Sequence, residues 1–160
     1  ALTLPADQRR LPRRLDGRSA SAEAVASGEL LVAHRGLLKA DELVIVQGRV
    51  QPDRFTGGVR FNVQSVWDLA GARCRFGKYL RVAVNGSVPP VAEVLRDFPV
   101  RRSQTEHGEI QEGLRVRLQL QRREAIGELD LGDAVRFYPS DGALERWQTS
   151  SHGPLAIVYE

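Results

Sequence analysis

The sequence predicts a chain of mixed β and α+β class, in which a module built on an antiparallel hairpin precedes a small α+β unit of order β-α-β-β-β-α-β. Three observations predict it. Val59, Phe61 and Val63 alternate with Arg60, Asn62 and Gln64 behind a glycine-closed turn. Leu114, Val116, Leu118 and Leu120 alternate with Arg115, Arg117, Gln119 and Gln121. Helical spacing of apolar residues is confined to short stretches. A period of two sets one strand face on a core and the other toward solvent.

Taken in order, residues 1–18 hold two prolines and five arginines without periodicity, so residues 1–14 are expected as an irregular or extended arm. Ser19 to Val25 fits a short strand. Gly28 to Leu38 fits a short helix, with Leu30, Leu31, His34, Leu37 and Leu38 three and four apart and Gly36 weakening it. Leu43 to Val50 and Val59 to Val66 are the hairpin strands. Between them, Pro52 fixes φ and Gly57-Gly58 permits positive φ at the return.

Gly71 to Gly77 resets the chain and marks the expected boundary between a portion at 15–72 and one at 76–160. Tyr79 to Asn85 alternates as a strand, and Pro89-Pro90 leads into a helix whose stripe is Val91, Val94, Leu95 and Phe98. Residues 99–112 are polar and expected as an exposed loop. After the strand at 114–121, Ile126 to Leu131 and Ala134 to Tyr138 extend the sheet. Ser140 or Asp141 caps a helix through Trp147, and Leu155 to Tyr159 is the last strand.

Composition narrows the function classes. The 160 residues carry 23 cations against 20 anions, and of the cations only Lys39 and Lys78 are lysine. Arginine suits bidentate phosphate contacts, although a GC-rich genome produces the same bias. Cys74 is alone, which excludes an internal disulfide or a cysteine-based zinc site and fits a cytoplasmic setting. No apolar run approaches the ~20 residues that cross a bilayer. Methionine is absent, as expected either of a processed start or of an internal fragment.

Catalytic patterns are missing. His34, His107 and His152 stand far apart, none at a metal-ligand spacing. No G-x-S-x-G nucleophile motif occurs, Gly57-Gly58 lacks the ending of a phosphate loop, and Asp130 and Asp133 flank a turn. No cofactor is expected. What remains is binding chemistry: Arg49, Arg54 and Arg60 surround the hairpin, with Phe55 at its tip. Single-stranded nucleic acid is held by cationic grooves and aromatic platforms, which OB-type barrels present on such hairpins. A solvated face explains the same arginines, and Phe61 shares a face with Val59 and Val63 and so points to the core.

Several runs carry a resemblance. They are Leu15 to Ala20, His34 to Lys39, Glu42 to Val50, Phe55 to Arg60, Asp68 to Arg73, and Val135 to Asp141. Together they make the chain resemble the carboxy-terminal end of the alpha-subunit family of bacterial replicative DNA polymerase III. The resemblance implies that residues 15–72 are the later strands of an OB-fold β-barrel, a partial barrel lacking its first strands. It implies that 76–160 is the α+β domain that contacts the tau subunit of the clamp loader. The polymerase's own catalytic residues would lie upstream, so the parent would be a DNA-directed DNA polymerase while this fragment is non-catalytic.

The expected site residues are then Arg49, Arg54, Phe55 and Arg60 for single-stranded DNA, and Leu155, Ile157, Val158 and Tyr159 for tau. A stand-alone OB-like interaction module without nucleic-acid binding is the alternative, favoured if the arginines are all paired to carboxylates. A small hydrolase built around His107 or His152 would need an acid and a nucleophile converging on either ring.

Overall fold

The computed structural model describes residues 10–16, 21–39, 43–52, 57–86, 89–105, 108–151 and 153–159. Its contacts divide the chain into two compact units, Ala1–Asp68 and Leu69–Glu160.

In the first unit, β1 (Arg10–Asp16) and β2 (Ser21–Ser27) form an antiparallel pair in register from Arg10–Ser27 to Asp16–Ser21. The expected irregular arm therefore ends in a strand. Pro12 hid it, but a proline is tolerated on an edge strand, where one N–H of each pair is not needed by a neighbour. The helix expected over Gly28 to Leu38 stops early, at α1 (Gly28–Ala33). Ser27 caps it, its Oγ accepting from the Leu30 N–H at 3.2 Å. His34 to Leu37 then turn away, with no residue of α1 buried to prolong it. β3 (Ile45–Pro52) and β4 (Val59–Trp67) make the expected hairpin, with Gly57 at φ 71° on the return.

The sheet runs β1-β2-β4-β3, with β2 and β4 parallel across the α1 crossover and the other pairs antiparallel. Among the described residues this sheet is open, with β1 and β3 as edges, so the barrel expected here is not closed. Ala24, Ala26 and Val66 are its buried residues.

The second unit opens with α2 (Leu69–Phe76), where the sequence suggested only a turn. Its buried residues are Ala70, Gly71 and Ala72, so the helix packs through small side chains and leaves no stripe of large ones to read. The chain passes directly into β5 (Gly77–Val84), then α3 (Val91–Asp97). The expected loop at 99–112 is a hairpin, β6 (Arg101–Thr105) and β7 (Gly108–Glu112). No residue of this pair is recorded as buried, so no alternation announced it. Next come β8 (Leu114–Gln121), β9 (Ile126–Asp130), β10 (Arg136–Phe137), α4 (Asp141–Ser151) and β11 (Leu155–Tyr159).

The main sheet is ordered β10-β8-β5-β11, with β9 also on β8 and only β5–β8 parallel. Its core joins Leu80, Val82 and Val84 of β5 to Leu114, Val116 and Leu118 of β8, and to Val94, Ala143 and Trp147 of the helices. Trp147 and Phe137 meet edge to face at 5.8 Å. Arg73 ties α2 to the start of α4, donating to the Pro139 carbonyl at 2.9 Å and to Asp141 at 2.7 Å. The Asp68–Arg73 and Val135–Asp141 runs thus meet in space, and Ser140 Oγ accepts from the Ala143 N–H to start α4.

Candidate nucleic-acid interface

The hairpin register decides which side chains share a face. Arg49 stands opposite Asn62 and Gln51 opposite Arg60, so Arg49, Gln51, Arg60 and Asn62 point to one side. Gln64 is the extra residue that the β3–β4 ladder skips. Val50, Val59, Phe61 and Val63 take the other side, but Val50 and Val59 are exposed and Phe61 is half-buried, so the core expected beneath Phe61 does not form among the described residues. Two of the four expected DNA contacts, Arg49 and Arg60, are thereby brought to a common face. Arg54 and Phe55 lie outside the described residues.

Gly48 makes that alignment possible. The β3–β4 ladder slips at Gln47–Gly48, and a Cβ on Gly48 would overlap the Asn62 carbonyl oxygen and stand 2.9 Å from the Phe61 ring. Only a residue without a side chain fits there, so Gly48 lets the two strands close at the bulge.

That face holds a groove of about 260 Å³, lined by Val25 and Ser27 from β2, Arg49 and Gln51 from β3, and Asn62 and Gln64 from β4. Asn62 Nδ2 donates to Gln51 Oε1 at 3.0 Å, which aligns two amides along the floor. Arg49 and Gln64 are exposed, and no carboxylate is among the described residues that line the groove. A cation, three amides and a hydroxyl around one concavity can hold a phosphate and hydrogen-bond the edges of bases.

The arginines of the second unit are placed differently. Arg117 reaches Glu128 at 3.2 Å and Asp130 at 3.1 Å while its guanidinium lies 4.0 Å from the Tyr79 ring. The hydrogen bond that Arg117 donates to Asp130 holds its guanidinium above the ordinary pKa. The Gly132 N–H, then Arg117, holds the Asp130 carboxyl below its own. Arg73, Arg115, Arg136 and Arg146 also pair with carboxylates. Asp130 Oδ1 accepts from Gly132 N at 2.9 Å, confirming the turn role read for it.

The four residues expected at the tau contact divide between two sides of β11. Leu155 and Ile157 pack against the core and brace the strand. Val158 lies on the opposite face by alternation, and Tyr159 is 52% exposed. β11 is an edge strand, so its outer backbone is placed to accept a partner. Its neighbours Arg75, Phe76 and Lys78 went unnoticed in the sequence, which carries no motif around them.

No group of three or more His, Cys, Asp or Glu side chains placed to hold a metal ion forms among the described residues. His34 closes α1 with its backbone N–H on the Leu30 carbonyl, while His107 and His152 lie outside the described residues. No described helix is long and apolar enough to cross a membrane.

Comparison with known proteins gives one consistent result. The chain is 30% identical over 131 residues, 82% of its length, to the DNA polymerase III subunit alpha of Vibrio cholerae. It is 28% identical over 133 residues to that of Escherichia coli K12, and 36% identical over 74 residues to that of Pseudomonas aeruginosa. The chain spans 11% of the length of the Vibrio and Escherichia proteins and 6% of the Pseudomonas one. No family model matches it.

Proposed function

From the membership of this chain among the DNA polymerase III alpha subunits, we propose that it is a non-catalytic, carboxy-terminal part of such a subunit with two binding roles in DNA replication. The first unit contacts single-stranded template through the polar face of the β3–β4 hairpin. The second tethers the polymerase to the tau subunit of the clamp loader through β11. The observation that carries the first role is the groove in which Arg49 stands beside Gln51, Asn62 and Gln64. Arg54 and Phe55, at the hairpin's end in sequence, belong to the same proposed contact. An OB-type barrel completed by further strands is the fold in which this open sheet would work.

For the tether, the outer edge of β11 supplies backbone pairing, with Val158 and Tyr159 as the reachable side chains and Leu155 and Ile157 holding the strand in place. Removing 155–160 would strip the core, so point replacements are the informative ones. The test measures two affinities of the whole chain, one for a fluorescent oligothymidylate and one for purified tau. Arg49→Ala is expected to weaken DNA binding and leave tau binding intact. Val158→Glu is expected to do the reverse. DNA affinity indifferent to Arg49 would refute the first role, and tau affinity indifferent to Val158 the second.

A further inference from the structure

The second unit has a concavity beside the proposed tether. It lies where α2 runs without a loop into β5, beside the end of β11, and measures about 420 Å³. Arg75, Phe76, Gly77, Lys78 and Tyr159 line it. Two cations and two aromatic rings therefore surround one opening, and no carboxylate is among the described residues that line it. Phe76 is 42% exposed and Tyr159 52%, unusual for large rings in a unit that buries Trp147 and Phe137 completely.

The backbone builds this opening. A Cβ on Gly77 would stand 3.0 Å from the Leu114 side chain and 3.1 Å from that of Ile157, and nearer still to the Arg73 carbonyl. Gly77 thus lets the helix end press onto the sheet and forms the floor. The β5–β11 register slips between Val158 and Tyr159, so that Val158 pairs with Tyr79 and Tyr159 with Gly77. Such a bulge re-aims side chains, and here it directs Tyr159 and Lys78 to the mouth of the cleft.

The geometry points to a second contact for single-stranded DNA in this cleft, with bases stacking on Phe76 and Tyr159 and the phosphates met by Arg75 and Lys78. Exposed flat rings between cations are what a strand of stacked bases needs. A carboxylate-rich peptide needs the cations alone and gives no reason for the rings. This contact stands apart from the Arg49 groove, since it uses different residues in a different unit. It shares only Tyr159 with the tau tether.

The test uses the full chain carrying Arg49→Ala and Arg60→Ala, so that remaining affinity for oligothymidylate reports on the second unit. Phe76→Leu keeps apolar bulk and removes the stacking plane; affinity is expected to fall about fivefold or more. Arg75→Ala with Lys78→Ala is expected to flatten the salt dependence by about 1.4 in log–log slope. Irradiating the unmutated chain with a 5-iodouracil oligonucleotide is expected to give adducts on Phe76 or Tyr159. That measurement needs no variant to fold. Adducts confined to residues 45–67 would overturn the proposal. So would residual affinity unmoved by Phe76→Leu, or a cleft that takes polyglutamate and no DNA.

Discussion

Replacing Gly48 by alanine adds one methyl group and removes no charge, yet it should damage the DNA-facing surface. The new Cβ would overlap the Asn62 carbonyl oxygen, stand 2.8 Å from its carbon and 2.9 Å from the Phe61 ring, where ordinary contact begins at 3.4 Å. β3 and β4 must then part by about half an ångström or more, which forfeits a quarter to a half of each facing dispersion contact. Overpacking of this kind costs about 1–3 kcal/mol. Loosening the adjacent Arg49–Asn62 rung adds roughly 1 kcal/mol for a weakened hydrogen bond. The expected loss is about 2–4 kcal/mol from the first unit.

The chain offers a direct readout, because Trp67 lies in the first unit and Trp147 in the second. With fluorotryptophan incorporated, urea unfolding followed by fluorine NMR assigns each transition to its unit. Gly48→Ala should shift the Trp67 transition and leave Trp147 in place. Gly36→Ala is the control, since nothing lies within 4 Å of its Cβ position and its φ is not positive. It should be neutral or stabilising by up to about 1 kcal/mol. A Trp67 transition that moves by less than about 0.5 kcal/mol in Gly48→Ala would refute the hairpin register, because surface changes without steric conflict stay within that range.

Other outcomes follow from the second unit. Arg73→Ala removes two hydrogen bonds that join α2 to the turn before α4, and should cost about 1–2 kcal/mol in the Trp147 transition, given that Asp141 is largely exposed. Trp147→Ala empties a fully buried site facing Phe137 and should cost about 3–5 kcal/mol, read by thermal unfolding of the second unit. Asp130 is held below its ordinary pKa, so the stability it contributes is present above the unfolded value of about 3.9 and is lost as pH falls through the folded one. Urea midpoints of wild type and Asp130→Asn should therefore converge as pH is lowered past about 4, and a constant gap would contradict the assignment.

What was legible in the sequence follows from periodicity. β8 buries one face, with Leu114, Val116 and Leu118 inside, so Leu114–Gln121 alternates visibly, while in Val59–Trp67 and Leu155–Tyr159 the apolar residues cluster although only Val66 among them is buried. α3 was legible through the stripe at Val91, Val94 and Leu95. α2 was not, because it packs through alanine and glycine, and neither was the β6–β7 hairpin, which has no buried face. β1 was obscured by Pro12, and the early end of α1 by leucines that mimic a longer stripe. At the candidate site, Arg49 and Arg60 could be found from alternation, and the register then placed them on one face. Gln51, Asn62 and Gln64 read as generic polar residues until the groove joined them. The Arg75–Lys78 cleft depends on a bulge and a direct helix-to-strand junction, neither of which leaves a local sequence pattern.

The central claim is that the hairpin face meets the phosphates of single-stranded DNA, and the salt dependence of binding tests it most directly. Each phosphate contact to a single strand contributes about 0.7 to the slope of log affinity against log salt. Replacing Arg49 and Arg60 together should make the slope shallower by about 1.4 and weaken binding at low salt. A slope identical in the two proteins would contradict it.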